Sequence, residues 1–328
     1  ERAVAFAALG DGLDAARRPA EAFAAWSSGA ALLRREWAAR APAAETPPAL
    51  ARRLAAWFAA ADEGAWRGSP DVPPDGAATG HVFLLGFPRS GTTLAGQVLA
   101  GHPRVVTLDE AQTLRDAAAA FFRDDAALRS LAAISQGEAA RYRALYWRRV
   151  AEAGGRPAGK VFVDKLPMNT VGLPLIVKLF PEAKIVFMRR DPRDVILGCV
   201  RRQFALDPTT AEFLDLGGAA RFYDAAMALF EIYRETLDVD PRIQGYEALV
   251  ADFDGETRAL CDFLGLDWSP AMAGFAARAG DVATPSGAQL ARGLTAEGVG
   301  HWRRYRAELA PVLPILDPWA RRFGYGAD

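Results

Sequence analysis

Cysteine is nearly missing from this 328-residue chain: Cys199 and Cys261 are the only two, and histidine occurs three times. Two thiols and three scattered imidazoles make neither a disulfide framework nor a zinc-ligand spacing, so no metal is expected. Both cysteines read as small buried apolar residues. An excess of one charge is missing too, since 39 basic and 40 acidic residues leave a net charge of −1. That balance argues against a dedicated nucleic-acid or membrane-surface protein. No apolar run reaches transmembrane length and no signal peptide is visible, so a cytoplasmic protein is expected. Lysine is scarce: Lys160, Lys165, Lys178 and Lys184 are the only four among the basic residues. Heavy use of Ala and Arg suggests a GC-rich bacterial genome, and in such a chain a retained lysine has a modest claim to a purpose.

Apolar residues, by contrast, are plentiful at 51%, with 24% charged, the profile of a globule with an ample core. The length fits two domains, or one large α/β domain with an appendage. Residues 1–67 read as all-helical. Phe6, Leu9, Gly10 and Leu13, followed by Ala22, Trp26 and Leu33, follow the large-and-small spacing of a tetratricopeptide unit. One such unit cannot bury its own face, so it packs on the next domain or on repeats upstream; an ordinary helical hairpin is the plainer alternative. A further helical stretch over 50–62 follows the Pro47-Pro48 break, and 68–80, with Pro70, Pro73 and Pro74, reads as a linker.

From 81 to 328 strands and helices alternate. Strands are expected over 81–85, 104–107, 160–163, 184–188 and 242–245. Helices are expected over 92–100, 110–122, 137–153, 170–180, 192–204, 219–237 and 247–264. Short apolar strands separated by helices imply an α/β fold, with a parallel sheet flanked by helices and preceded by the helical segment. Ligands of such sheets sit at the carboxyl ends of the strands. Three informative segments fall at those ends.

The first runs His81-Val-Phe-Leu-Leu-Gly86-Phe-Pro-Arg89-Ser90-Gly91-Thr92-Thr93. An apolar strand breaks at Gly86 and resumes as a helix after Gly91, the spacing of a phosphate-binding loop whose amides and helix N-terminus cradle an anion. Thr92 stands where a nucleotide triphosphatase has its lysine, so a γ-phosphate is poorly served. What remains is a cradle for a diphosphate-like group with Arg89 inside it, an arrangement suited to 3′-phosphoadenosine 5′-phosphosulfate (PAPS). The second segment is Asp164-Lys165. The third is Arg189-Arg190-Asp191-Pro192-Arg193, where Asp191 reads as the N-cap and Pro192 as the first residue of a helix. An arginine fixed there can clamp a dianionic phosphate, and Arg202 is expected about three turns along the same helix.

From about His81 to Tyr325 the chain resembles the PAPS-dependent sulfotransferases. It is most similar to the bacterial tetratricopeptide-linked group and the related tyrosylprotein sulfotransferases. Pro88 to Leu94 looks like the family's 5′-phosphosulfate loop, and Phe187 to Asp194 like its 3′-phosphate motif. Gly245-Tyr246-Glu247-Ala248-Leu249-Val250 is similar to the segment whose tyrosine lies near the nucleotide. Gly300-His301-Trp302-Arg303-Arg304-Tyr305 is similar to a C-terminal segment of the bacterial group.

The resemblance implies roles. Glu110, following His102-Pro103, takes the position of the general base, with Asp109 as the alternative carboxylate. A plain helix-start charge at Asp109-Glu110 is the competing reading. Lys165 takes the position of the catalytic lysine, at the opposite end of the transfer from Glu110, and Arg89 serves both binding and catalysis. Ser90, Gly91, Thr92, Thr93, Arg190, Arg202, Tyr246 and Arg292 are implied in nucleotide binding. Gly198 stands where the family usually has a serine, at a loss of one hydrogen bond, and Arg292-Gly293 replaces a Lys-Pro pair.

The implied reaction moves a sulfuryl group to a phenol, tyrosine or alcohol and releases adenosine 3′,5′-bisphosphate without a metal. A hydroxyl-bearing peptide or small molecule is the expected partner, with no nucleic acid and no membrane, and a homodimer is open. Around Arg141 and Arg148, with Tyr142, Tyr146 and Trp147 beside them, either an acidic peptide docks or a solvated basic face covers an aromatic core. The latter is favoured. A P-loop small-molecule kinase would need a lysine at Thr92. A non-catalytic nucleotide-binding or interaction protein would not need Arg89, Glu110 and Lys165 together.

Overall fold

The computed structural model describes residues 1–40, 45–66, 78–279 and 293–326. The chain forms two compact units. One holds Leu54–Arg189 and Leu229–Leu294 and is called the sheet unit here; the other holds Glu1–Arg53, Arg190–Ala228 and Thr295–Asp328 and is called the helical unit. The chain passes between them several times, so the units cut across the segments that composition marks out. Most of the 68–80 stretch lies outside the described residues.

The sheet unit is built on β1 (Gly80–Gly86), β2 (Val105–Asp109), β3 (Val161–Lys165), β4 (Lys184–Arg189) and β5 (Arg242–Gly245). All are parallel, in the order β2-β3-β1-β4-β5. Beyond Gly80 every residue of β1 is buried, as expected of a central strand covered on both faces. Side chains alternate between the faces. Val82 and Leu84 join Leu94, Ala95, Val98 and Leu99 of the helix Thr92–Ala100 in one core, with Leu260 and Leu264 beside them. His81 and Phe83 face an aromatic cluster with Tyr146 and Phe180 on the other side. Each such buried aliphatic or aromatic side chain contributes roughly 1.5–3 kcal/mol.

The structure places several elements differently from the expectations above. The helix expected over 110–122 starts only at Arg115 and ends at Phe121, because Glu110 sits at φ +54° and cannot continue a helix. The helix expected over 247–264 is two helices, Tyr246–Ala251 and Phe253–Leu264. Asp252 breaks it, and its side chain accepts from the Gly255 amide at 2.9 Å. A 3₁₀ turn, Pro167–Thr170, precedes the helix Leu173–Leu179. The helix Asp125–Ala132, capped by Asp124, was not expected.

In the helical unit, α1 (Arg2–Ala15) packs on α2 (Pro19–Ala38) where small meets large. A Cβ at Gly10 would lie 2.3 Å from the Trp26 indole, so any side chain there would displace the tryptophan. Trp26 is buried in turn against Tyr305, with ring centroids 5.5 Å apart. Leu9 is 53% exposed and takes no part in that seam.

Candidate active site

At the end of β1 the loop needs its glycines. Gly86 has φ +154° and Gly91 φ +104°. A Cβ on Gly86 would lie 2.6 Å from Ser90 Oγ and 2.9 Å from Met188 O; one on Gly91 would lie 2.6 Å from the Tyr246 ring. Tyr246 therefore packs directly on the loop. Between the glycines Arg89 is left-handed too, at φ +71°, and the Ser90 amide closes a turn on Phe87 O at 3.0 Å. Thr170, which sequence reasoning missed, braces the loop's entry. Its hydroxyl donates to Gly86 O at 2.9 Å and accepts from the Gly86 amide at 3.2 Å.

The helix Thr92–Ala100 follows with Gly91 as its N-cap and no side chain capping it. Its first amides point out of the helix without intrahelical partners. Ser90 Oγ is buried without a hydrogen-bond partner among the described residues, and the Thr92 and Thr93 side chains are buried beside it. Free amides, buried hydroxyls and a loop with no room for a Cβ fit a phosphate-like anion.

On β3, next to β1, Lys165 is in register with Leu84, two residues before the loop. The lysine is 0% exposed, with Nζ 2.9 Å from Glu110 Oε1 and 3.4 Å from Asp109 Oδ1. Gln97, inside the loop helix, donates to Asp109 Oδ2 at 3.5 Å. Glu110 is thus no helix-start charge. It stands beyond the end of β2 in the left-handed region, its amide donating to Lys165 O at 2.7 Å. A non-glycine residue there costs of order 1–3 kcal/mol and persists only when its surroundings hold it. Arg89 and Glu110 are two of only three non-glycine residues with positive φ among those described. Both were marked for chemistry by the sequence. The lysine and carboxylate assigned to opposite ends of a transfer lie in direct contact.

Behind Lys165 lies a buried polar chain that the sequence did not reveal. Asp164 Oδ2 accepts from Thr113 Oγ1 at 2.6 Å and from Tyr146 OH at 2.8 Å, and His81 Nε2 meets Tyr146 OH at 2.8 Å. Burial raises the Asp164 carboxyl to about 6, against the opposing pull of the Thr113 and Tyr146 hydrogen bonds and Lys165. Burial also lowers His81 to about 3, with the Arg143 charge adding to it. Tyr146 is therefore the core of the helix Gln136–Glu152. Arg141 lies over Tyr142 at 5.5 Å and Arg148 pairs with Glu152 at 3.7 Å, which favours the solvated-face reading.

Arg190, Gly198 and Arg202 lie in the helical unit. Asp191 caps the helix Pro192–Val200, accepting from the Arg193 amide at 2.9 Å, with Pro192 first in the helix. Arg190 donates to Gly298 O, and Asp194 accepts from the Gly300 and Trp302 amides. Arg193 is a buried clamp, bonded to Asp191 and lying 3.9 Å from the Trp302 ring. Arg202 is not on the helix, which ends at Val200; it pairs with Asp11 at 3.2 Å, beside Arg201 and Asp14 at 3.5 Å. Two acidic residues of α1 thus engage the side chains of both arginines just past the helix end. Asp14 also accepts from Tyr305 OH at 2.6 Å and meets His301 Nε2 at 3.0 Å. Gly198 is buried within the helix, and Arg292 lies outside the described residues. Among the described residues no His, Cys, Asp and Glu group could hold a metal, and no helix is long and apolar enough to cross a membrane.

The fold and site define a class: a parallel α/β protein with an anion-receptive loop and a carboxylate–lysine pair at its strand ends. The model of the sulfotransferase family matches residues 81–270, more than half of the chain. The chain belongs to that family. An uncharacterized protein of Aquifex aeolicus (strain VF5) is 29% identical over 272 residues, covering 76% of this chain and 33% of that protein. Protein-tyrosine sulfotransferase 1 of Danio rerio is 26% identical over 279 residues, covering 75% and 74%. This chain therefore spans about a third of the Aquifex relative and three quarters of the Danio one. The sulfotransferase domain of the Synechococcus PCC 7002 olefin synthase shares the fold, with a TM-score of 0.50 at 21% identity over 72% of this chain and 91% of that one.

Proposed function

We propose that this protein transfers a sulfuryl group from PAPS to an acceptor hydroxyl, with Glu110 as general base. The observation that carries the reading is the contact of Lys165 with Glu110 on the strand beside the Gly86–Gly91 loop. When bound, PAPS supplies a sulfuryl group on a phosphate leaving group. The amides following Gly91, with Ser90, Thr92 and Thr93, hold the 5′-phosphate end, and the Tyr246 ring flanks it. The Glu110 carboxylate takes the proton of the acceptor hydroxyl as that oxygen attacks. The Lys165 ammonium exchanges Glu110 for charge developing on the leaving phosphate, and Arg89 stabilises the neighbouring oxygens. By the family resemblance alone, the 3′-phosphate is assigned to Arg190, with Arg202 and Arg292 as further cations.

The acceptor class is a phenolic or alcoholic hydroxyl. The tyrosine in the Danio relative's name makes a tyrosine peptide the first to try. The test incubates the protein with PAPS labelled in its sulfuryl group and a panel of tyrosine peptides, simple phenols and alcohols. Label on an acceptor with equimolar release of adenosine 3′,5′-bisphosphate supports the reading. Label appearing only as inorganic sulfate, whatever the acceptor, refutes it.

A further inference from the structure

We infer that the buried chain His81–Tyr146–Asp164–Thr113 is a positioning device that holds Glu110 in its left-handed turn against Lys165. The inference rests on the functional reading above only for the role of Glu110, not for the geometry. The direction of the chain follows from donor bookkeeping. Asp164 Oδ2 takes two hydroxyl protons, one from Thr113 and one from Tyr146. The Tyr146 oxygen has thereby spent its proton, so at its contact with His81 it accepts, and His81 must donate from Nε2. A neutral imidazole with its proton on Nε2 does this, and burial keeps His81 neutral at any ordinary pH. The hydrogen bonds therefore converge on Asp164, arriving from β1 through the helix Gln136–Glu152 on one side and from the turn after β2 on the other.

The last link is the consequential one. Thr113 lies three residues after Glu110 and is itself buried. Its hydroxyl on Asp164 and the Glu110 amide on Lys165 O tie both ends of the turn to consecutive residues of β3. Lys165 therefore receives the turn's backbone at Glu110 and presents the ammonium that meets its carboxylate, while Asp164 holds the Thr113 side chain. A positive φ at Glu110 persists because the turn cannot relax without breaking one of these ties.

Thr113→Val removes the hydroxyl at nearly constant shape; Thr113→Ala does so if valine is not accommodated, and Thr113→Ser restores it. Crystal structures of wild type and variants are read for Glu110 φ and the Glu110–Lys165 distance, alongside transfer kinetics. The valine variant is expected to return Glu110 to negative φ and to lose contact with Lys165. Its kcat should fall about tenfold with the KM for PAPS within twofold, and serine should restore both geometry and turnover. A valine or alanine variant that keeps positive φ and the ion pair overturns the inference, whatever its activity. Separation of Glu110 from Lys165 with unchanged kcat upholds the positioning and instead removes Glu110 as the base.

Discussion

Replacing Asp164 by asparagine should change how the stability of this protein depends on pH, by an amount the structure sets. The carboxyl is buried, and burial raises it from 3.8 to about 6. Each tenfold change in proton affinity corresponds to about 1.4 kcal/mol, so ionised Asp164 costs the fold about 3 kcal/mol at neutral pH, to order of magnitude. The sign follows from proton counting. Between about pH 6 and 4 the native carboxyl binds a proton that the unfolded chain does not, so this group's contribution to stability rises as pH falls through that window. From pH 7 to 4.5 about 2 kcal/mol of the cost is recovered. Asparagine cannot titrate but keeps an oxygen to accept from Thr113 and Tyr146. Its amide nitrogen would stand where Asp164 Oδ1 has no hydrogen-bond partner among the described residues, at a cost of about 1–3 kcal/mol. That cost is common to both pH values and cancels in the comparison. Urea unfolding of wild type and Asp164→Asn at pH 7 and 4.5 gives the quantity directly. The stability of wild type relative to the variant should rise by about 2 kcal/mol at the lower pH. A difference that stays flat, or that falls, would mean the native carboxyl titrates normally and is not held in a desolvated site.

Other outcomes follow from the same geometry. Glu110→Gln should keep nucleotide binding and lower kcat about 10²–10⁴-fold, the defect shrinking for phenols of lower pKa. Lys165→Ala should lose about 10²–10³-fold without that dependence, both read from transfer assays over substituted phenols. Arg190→Ala should weaken adenosine 3′,5′-bisphosphate strongly and leave adenosine 5′-phosphate nearly unchanged in calorimetric titrations. Asp14 should behave oppositely to Asp164. Burial pushes its carboxyl up, but hydrogen bonds from His301 and Tyr305 and the charge of Arg201 bring it down to about 2. Its contribution is complete above about pH 5 and is lost as pH falls towards 2, so wild type should lose stability relative to Asp14→Asn over pH 5 to 3 in urea titrations.

The parts of this site that were legible in the sequence are those written in adjacent residues. An apolar run ending in Gly86, a second glycine at Gly91 and the Asp191-Pro192 helix start each encode a local backbone event, and the structure shows all three. Lys165 was marked by its strand end and its rarity. The turn at Glu110 was not legible, because Asp109-Glu110 before an apolar stretch is also how helices begin. Only the ties to β3 distinguish the two. The chain from His81 to Thr113 draws one residue from each of four distant segments, and no spacing rule connects them. Thr170 was hidden for the same reason, its two bonds to Gly86 spanning 84 residues. Arg202 was misplaced because the helix stops at Val200, where neither proline nor glycine marks an end, and the arginine's side chain pairs with Asp11 of α1.

The central claim is that the Gly86–Gly91 loop, lacking a lysine at Thr92, is built for a 3′-phosphorylated adenosine donor rather than for a nucleoside triphosphate. Thermal unfolding with adenosine 3′,5′-bisphosphate, and separately with ATP and magnesium, tests it most directly. At a hundredfold excess over its dissociation constant a ligand adds about 2.7 kcal/mol to stability. The bisphosphate should therefore raise the unfolding temperature by several degrees, with ATP and magnesium at the same concentration giving little. Equal or greater stabilisation by ATP and magnesium would contradict the account.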